Sequence, residues 1–154
     1  LNNIPTNEQI ELNPLIEEII ADLSLLADKK NITLSTKGNS TITGSDTLIY
    51  QMIYNFVENA IKYNKQDGSV SININNDDKY TYIQVKDTGN GIPKEYQETI
   101  FQPFFRIDKS RNRQFGGVGL GLALVYEIAK LHKASVYVKD SNNSGTTIEV
   151  KMER

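Results

Sequence analysis

Residues 45–63 of the chain read SDTLIYQMIYNFVENAIKY. Apolar residues recur in this stretch every three or four positions, which is the spacing of one face of an α-helix. That apolar face consists of Ile49, Met52, Ile53, Phe56, Val57, Ala60 and Ile61. The pattern predicts a helix from about Ser45-Asp46 to Tyr63 whose apolar face is buried.

The opposite side of this predicted helix carries a polar stripe. Asn55, Asn59 and Lys62 are spaced i, i+4 and i+7, so at about 100° per residue they share one face, with Glu58 beside them. Asparagine is unfavourable inside helices because its amide competes for the backbone. An amide oxygen can bind Mg²⁺ without adding negative charge beside a nucleotide phosphate, which a lysine can neutralise. Alone, the stripe is compatible with such a site and with a solvated helix face.

After this helix the sequence alternates apolar and polar residues, as strands with one buried face do. Two such runs, Val70–Ile74 and Thr81–Val85, flank the turn residues 75–78. They predict a β-hairpin whose second strand ends at Asp87.

The remaining segments complete a mixed pattern of helices and strands. Asn13-Pro14 is a helix-start signal and predicts a helix over roughly 14–30. The other predicted elements are a hairpin from the runs 32–34 and 41–43, a short helix from Lys94 to Phe101, a helix from the glycine run to about Leu131, and strands at Ser135–Lys139 and Thr146–Met152. We expect an α/β (α+β) two-layer sandwich, with a mixed, largely antiparallel sheet of about five strands covered on one face by three helices.

The composition restricts the classes of function. The 154 residues are 38% hydrophobic and 23% charged with a formal net charge of -2, which favours one folded domain and argues against binding to nucleic acid. Without cysteine the chain has no disulfide, thiolate metal site or cysteine nucleophile. A single histidine, His132, argues against a zinc site or a Ser-His-Asp triad. The sequence contains no apolar run of the length that crosses a bilayer.

Two glycine-containing loops carry further polar chemistry. The loop Asp87–Pro93 follows a strand, and its carboxylate suits an exocyclic amine such as that of adenine, with glycines that let a base approach the backbone. The run 116–121 matches neither a P-loop nor the dinucleotide fingerprint, but it precedes a helix whose first N–H groups suit a phosphate. Each loop alone is equally compatible with a plain turn.

Together, these stretches closely resemble the N, G1, F and G2 boxes of sensor histidine kinases. In order, the four matching segments are NFVENAIKY (55–63), DTGNGIP (87–93), IFQPFFR (100–106) and GVGLGL (117–122). The resemblance covers almost the whole chain and is to the catalytic and ATP-binding domain, in the wider group that contains gyrase, the heat-shock chaperone ATPases and MutL. It implies that 13–154 form this domain and that 1–12 are a linker from a missing upstream helical dimerisation and phosphoacceptor domain.

The resemblance implies roles for the polar stripe. Asn59 would bind Mg²⁺, with Asn55 assisting at the metal and the phosphates of ATP. Lys62 and Tyr63 would contact phosphate and ribose, and Lys62 would also serve the transfer step. Glu58 corresponds to the acidic residue proposed in this family as general base for the incoming histidine.

The G1 box is expected to hold adenine. The resemblance implies that Asp87 accepts a hydrogen bond from the adenine amino group, with Thr146 supporting the same network. Gly91 would lie close to the base, and Gly89 and Ile92 are also expected to bind ATP.

The F and G2 boxes are expected to serve the phosphates. Arg106 matches the F-box arginine and is expected to be catalytic, while Arg111 or Arg113 would reach the γ-phosphate from a mobile ATP lid. The G2 residues expected at ATP are Gly117, Gly119, Leu120, Gly121 and Leu122.

The sequence departs from the family pattern at three places. Val118 stands where the G2 box often has Thr or Ser, and Gln102-Pro103 stand where the F box often begins with an acidic residue. His132 is followed by Lys133-Ala134 instead of two glycines. We expect His132 to cap helix carbonyls and not to accept phosphate.

The sequence therefore predicts an ATP-dependent protein-histidine kinase module that transfers the γ-phosphoryl of Mg-ATP to a histidine on a separate dimerisation domain. A downstream response regulator, a homodimeric parent protein and a cytoplasmic domain are implied, and a membrane anchor in the parent is left open. Two alternatives remain: a degenerate module that binds a nucleotide or a partner, and an anti-sigma-type serine kinase or conformational ATPase.

Overall fold

The computed structural model describes residues 5–97 and 118–154, except for the side chains of 96 and 118–122. Its strands are β1 (Glu8–Glu11), β2 (Thr33–Lys37), β3 (Thr41–Gly44), β4 (Ser69–Asn76), β5 (Tyr80–Asp87), β6 (Ser135–Asn142) and β7 (Gly145–Glu153). Its α-helices are α1 (Leu12–Asp28), α2 (Asp46–Lys62) and α3 (Val118–Leu131), and a 3₁₀ turn covers Lys94–Tyr96.

Five strands form the main sheet in the order β2-β4-β5-β7-β6. β2 runs parallel to β4, and the other neighbours are antiparallel. β1 and β3 form a separate antiparallel pair. The predicted fold class, a largely antiparallel sheet of five strands with three helices, is confirmed for the described residues.

Helix α2 lies at the centre of the helical layer. Its N-cap is Ser45, whose hydroxyl accepts from the backbone N–H of Leu48 at 3.3 Å. All seven residues of its predicted apolar face are at most 7% exposed. The helix packs against α1, α3, β4 and β5, so the helix predicted for 45–63 is confirmed together with its buried face. None of the described helices is long and apolar enough to cross a bilayer.

The predicted hairpin of β4 and β5 is also confirmed. Ile72 lies opposite Val85, and Ile74 lies opposite Ile83, on the face that the helices cover. Alternation within each strand therefore places one apolar face in the core and one polar face outside. β5 is the central strand of the sheet, so its last residue, Asp87, lies at the end of the sheet between β4 and β7.

The hairpin predicted from the runs 32–34 and 41–43 is wrong. Leu34 of β2 pairs with Val70 in the main sheet, whereas Ile42 of β3 pairs with Ile10 in the small sheet. Gly38, with φ of 93°, turns the chain against the end of β4 between the two strands. Two short apolar runs near a glycine look alike in sequence whether or not they pair with each other.

The start of α1 differs from its prediction for a related reason. The helix begins at Leu12, and Asn13 lies in its first turn instead of capping it. The caps come from the loop between β2 and β3: the Leu12 N–H donates to the Ser40 carbonyl at 2.9 Å and the Asn13 N–H to Asn39 Oδ1 at 2.8 Å. Ahead of α1, part of the expected linker forms β1.

The later elements follow their predictions with shifted ends. α3 ends at Leu131 as predicted, and both closing strands are longer than predicted. Of the short helix predicted from Lys94 to Phe101, the structure describes the 3₁₀ turn at Lys94–Tyr96, and the part from 98 onward lies outside the described residues.

His132 joins the end of α3 to the start of α2. Its Nδ1 donates to the Ile128 carbonyl at 2.8 Å, and its Nε2 accepts from the Ser45 backbone N–H at 3.0 Å. This arrangement uses the neutral ring with its proton on Nδ1. Gly44 leaves room for the ring, because a Cβ there would lie 2.7 Å from Nε2. The expectation that His132 caps a helix carbonyl is confirmed.

We predict that His132→Ala lowers the free energy of unfolding by about 1–3 kcal/mol, because the N–H of the buried Ser45 loses its partner. Urea denaturation measures the change. Lys130→Ala, at an exposed position of the same helix, is the control and should stay within about 0.5 kcal/mol of wild type. Equal stability of the two variants would contradict the bridging role.

Candidate nucleotide-binding site

Asp87 ends β5 and faces the helical layer, two residues beyond the buried Val85. Its Oδ1 accepts hydrogen bonds from the backbone N–H groups of Gly89 at 2.9 Å and Thr146 at 3.2 Å. Burial raises the pKa of the Asp87 carboxyl above its usual value, and these two donors partly oppose that shift.

The second carboxylate oxygen of Asp87 differs from the first. Within residues 5–97 and 118–154, Oδ2 has no hydrogen-bond partner, and no buried side-chain oxygen there lacks one. Oδ2 is therefore accessible. A carboxylate oxygen at this position is a charge-assisted acceptor for a ligand N–H group.

Two glycines pack the loop after Asp87 against its neighbours. Gly91 has φ of 82°, and a Cβ there would lie 2.2 Å from the Asn142 carbonyl oxygen. A Cβ on Gly89 would lie 2.8 Å from the Tyr63 carbonyl oxygen. The loop therefore fits between the end of α2 and the β6–β7 hairpin, and glycine is needed at both contacts.

Thr146 connects Asp87 to the β6–β7 hairpin. The residue is 5% exposed, and its hydroxyl lies 2.9 Å from the hydroxyl of Ser141. The Ser141 hydroxyl accepts from the Ile92 backbone N–H at 2.7 Å. Asp87, Ile92 and Thr146, three residues predicted to bind ATP, thus lie in one hydrogen-bonded group.

The polar stripe lies on the accessible side of α2. Asn55 and Asn59 are half-buried, and in the described part of the chain their amides make no hydrogen bond. Since no buried polar side-chain atom there lacks a partner, both amides are accessible to a ligand. Lys62 and Glu58 form an i, i+4 ion pair at 3.8 Å, with side chains 49% and 29% exposed.

Tyr63 and Asn64 join the stripe to the adenine end. Half-buried Tyr63 is the C-cap residue of α2, and burial followed by the charge of Glu58 raises the pKa of its hydroxyl. Buried Asn64 donates from Nδ2 to the Ser69 carbonyl at 3.0 Å, and its Oδ1 accepts from the Thr88 hydroxyl at 3.1 Å.

A lysine from outside the motifs holds the same corner. Lys30 Nζ donates to the carbonyls of Lys62 at 2.5 Å and Asn64 at 3.1 Å, so a positive charge lies at the negative end of α2. α2 therefore ends in a fixed position against the loop that follows Asp87.

Sequence reasoning missed Asn64, Ser141 and Lys30. Asn64 directly follows the N-box match and precedes Gly68, where a Cβ would lie 2.4 Å from Asn64 Oδ1. That polar residue between a helix end and a glycine was a usable signal. Ser141 belongs to a stretch rich in Asp, Asn and Ser that resembles a turn in sequence, although it lies on β6. Lys30 gave no signal because its partners are distant in sequence.

Part of the predicted site lies outside this geometry. Arg106, Arg111, Arg113, Gly117 and the F box fall outside the described residues. Gly119, Leu120, Gly121 and Leu122 lie in the first turns of α3, and their roles at ATP remain predictions.

The described geometry brings two kinds of chemistry together. An accessible carboxylate oxygen lies at the end of β5, and accessible amides and an ammonium group lie along α2. The Thr88–Asn64 hydrogen bond and the Gly89–Tyr63 contact join the two parts. Such a surface can bind a base with an exocyclic amine at one end and a metal-bound phosphate chain along the helix.

Comparison with known proteins assigns the family. Residues 44–154 match the family described as histidine kinase-, DNA gyrase B-, and HSP90-like ATPase, and the chain belongs to it. The chain is 42% identical over 102 residues to the sensor histidine kinase WalK of Bacillus subtilis, covering 65% of this chain and 17% of WalK. It is 32% identical over 151 residues to the sensor-like histidine kinase SenX3 of Mycolicibacterium smegmatis, covering 97% of this chain and 39% of SenX3.

Solved structures agree with this assignment. The nucleotide-free catalytic domain of histidine kinase ThkA superimposes with a TM-score of 0.80 at 26% identity, covering 95% of this chain and 97% of that domain. ThkA has also been solved in complex with the response regulator protein TrrA. The predicted resemblance to a histidine kinase catalytic domain is confirmed, although the chain spans well under half the length of WalK and SenX3.

We predict that Asp87→Asn stabilises the nucleotide-free domain and weakens ATP binding about 10- to 100-fold. The asparagine oxygen still accepts from Gly89 and Thr146, but its NH₂ group cannot accept from an amine. Because burial raises the pKa of the Asp87 carboxyl in the folded state, ionising that carboxyl costs stability. The free energy of unfolding of the wild type therefore falls as the pH rises through that pKa.

Melting temperature against pH and calorimetric titration with ATP measure the two effects. Asp140→Asn, at an exposed position of the β6–β7 hairpin, is the charge-matched control. A variant Asp87→Asn that binds ATP like wild type would contradict the placement of the base at Asp87.

Proposed function

We propose that the chain is the ATP-binding catalytic module of a protein-histidine kinase in a two-component signalling system. Mg-ATP binds between Asp87 and the polar face of α2, and its γ-phosphoryl goes to a histidine on a separate helical dimerisation domain. The observation that carries the proposal is the accessible Asp87 carboxylate joined, through Thr88 and Asn64, to the helix that presents Asn55 and Asn59.

The adenine end of the proposed site provides recognition. Asp87 Oδ2 accepts from the exocyclic amine of adenine, while Oδ1 stays on the Gly89 and Thr146 N–H groups. A guanine base presents a carbonyl oxygen at the corresponding position, so a carboxylate there favours adenine. Tyr63 lies between this end and the α2 stripe, where a ribose would pass.

The residues present suit a magnesium ion. Mg²⁺ prefers oxygen ligands and in nucleotide sites is held by one or two protein oxygens together with phosphates and waters. Asn59 and Asn55 are one turn apart on α2 with accessible amides, and they would supply these oxygens without adding negative charge. When bound, Mg²⁺ neutralises charge that develops on the phosphates during transfer.

Glu58 and Lys62 supply the groups for transfer. The acceptor histidine nitrogen forms a bond to the γ-phosphorus while the bond from that phosphorus to the leaving oxygen of ADP breaks. Glu58, half-buried beside Lys62, takes the proton from the attacking ring. Lys62 turns its ammonium to the phosphates once ATP replaces Glu58 as its main partner.

The proposed acceptor domain belongs to the same protein, which we propose acts as a homodimer and passes its phosphoryl group to a response regulator. The similarity to the histidine kinases WalK and SenX3 supports the kinase assignment, and the solved complex of ThkA with the response regulator protein TrrA supports a response regulator as the receiving partner. A degenerate binding module is the second candidate, and the retained Asn59 and Asp87 favour the active kinase over it.

Calorimetry tests the nucleotide site. Wild type should bind ATP more tightly with Mg²⁺ than without it, and Asn59→Ala should lose that difference while keeping Mg²⁺-independent binding. Asn75→Ala, an exposed asparagine on β4, is the control and should behave like wild type. Absence of ATP binding by the folded wild-type domain would contradict the proposal and favour the degenerate module.

Transfer is tested by adding the separate dimerisation domain of a histidine kinase to this chain with Mg-ATP. We predict an acid-labile phosphohistidine on the added domain and slow ATP hydrolysis by the chain alone. Glu58→Gln should slow transfer about 10²- to 10⁴-fold while keeping ATP binding. Glu17→Gln, at an exposed position of α1, is the control and should not slow transfer. An acid-stable product would instead indicate a serine kinase.

A further inference from the structure

We infer that Ser141 is a positioning residue for the adenine end of the site. It lies outside every motif match, on β6, and its hydroxyl joins two segments that are distant in sequence. The hydroxyl accepts from the Ile92 N–H at 2.7 Å and lies 2.9 Å from Thr146 Oγ1. The inference rests on the proposed function, since it names a residue that shapes the proposed adenine contact.

A β-bulge places Ser141 in this position. β6 and β7 pair regularly up to Val138 opposite Ile148, and then Asp140 lies opposite Thr147, so Lys139 is an extra residue. Without the bulge Asp140 would lie opposite Thr146; with it, Ser141 does. The shift turns Asp140 away from Thr146 and brings an uncharged hydroxyl there instead.

The absence of charge matters because Asp87 is close by. Thr146 donates its backbone N–H to Asp87 and contacts Ser141 through its side chain. A second carboxylate at position 141 would repel the partly buried Asp87 and raise the pKa of its carboxyl further. A serine hydroxyl accepts from Ile92 and can also donate to Thr146, so it satisfies both neighbours without charge.

The tether controls the path of the loop between Asp87 and Pro93. At its start, the loop is held by the hydrogen bond from the Gly89 N–H to Asp87 Oδ1. At Ile92, it is held by the hydrogen bond from the backbone N–H to the Ser141 hydroxyl. Gly91, between these points, lies directly against the Asn142 carbonyl. Loss of the Ser141 hydroxyl would free the second attachment, so ATP would have to order the loop on binding.

Ser141→Ala tests the inference, with Ser141→Thr as the variant that restores a hydroxyl. Ser144→Ala is the matched control: it is exposed on the same hairpin, and within the described residues its hydroxyl makes no hydrogen bond. Amide hydrogen exchange at Ile92 without nucleotide measures the tether, and calorimetric titration with Mg-ATP measures its effect on binding. Melting temperature verifies that each variant is folded.

We expect Ser141→Ala to speed exchange at Ile92 and raise the ATP dissociation constant about 3- to 10-fold, Ser141→Thr to restore both, and Ser144→Ala to match wild type. Unchanged ATP affinity in Ser141→Ala, or no recovery in Ser141→Thr, would overturn the inference while wild-type binding upheld the proposed function. Wild type that binds no ATP would overturn the proposed function first, and the inference with it.

Discussion

The candidate site depends on how Asp87 is held at the end of β5. One carboxylate oxygen accepts hydrogen bonds from two backbone N–H groups, that of Gly89 in the following loop and that of Thr146 on β7. The other oxygen stays accessible. Gly145 lies so close that a Cβ there would be 1.9 Å from the Asp87 carbonyl oxygen. The loop, the hairpin and the carboxylate therefore form one unit, and a shift in any of them moves the acceptor oxygen.

Holding the Asp87 carboxylate in this position lowers the stability of the free domain, a cost that a binding site can recover from its ligand. Burial raises the pKa of Asp87, so the ionised form is disfavoured in the free domain. In the proposed complex, the adenine amine would supply a hydrogen bond to the charged group and offset that cost upon binding. Glu149, on the face of the sheet away from the helices, is different. Its carboxylate already accepts hydrogen bonds from the side chains of Gln84, Tyr137 and Lys139.

Local sequence patterns predicted the elements whose structure is decided locally. The 3.6-residue period of α2 and the alternation in β4 and β5 depend on which face is buried, and both were confirmed. Asp87 was placed correctly at the end of β5 because a strand pattern stops there. The positions of Asn55 and Asn59 on one face of α2 follow from helix geometry alone.

Features decided by distant contacts were not predictable in the same way. β2 and β3 join different sheets, and α1 is capped by Asn39 because a loop 26 residues away reaches its first turn. Ser141 acquires its position from a bulge that no periodicity marks. Asn64 and Lys30 make their hydrogen bonds only where the end of α2 meets the loop after β5.

A crystal structure of the domain with Mg²⁺ and a non-hydrolysable ATP analogue tests the central claim most directly. The account predicts the adenine amino nitrogen about 2.7–3.2 Å from Asp87 Oδ2, with Asp87 Oδ1 still on Gly89 and Thr146, and an oxygen of Asn59 bound to Mg²⁺. Adenine bound away from Asp87, or a metal with no ligand from α2, would contradict it.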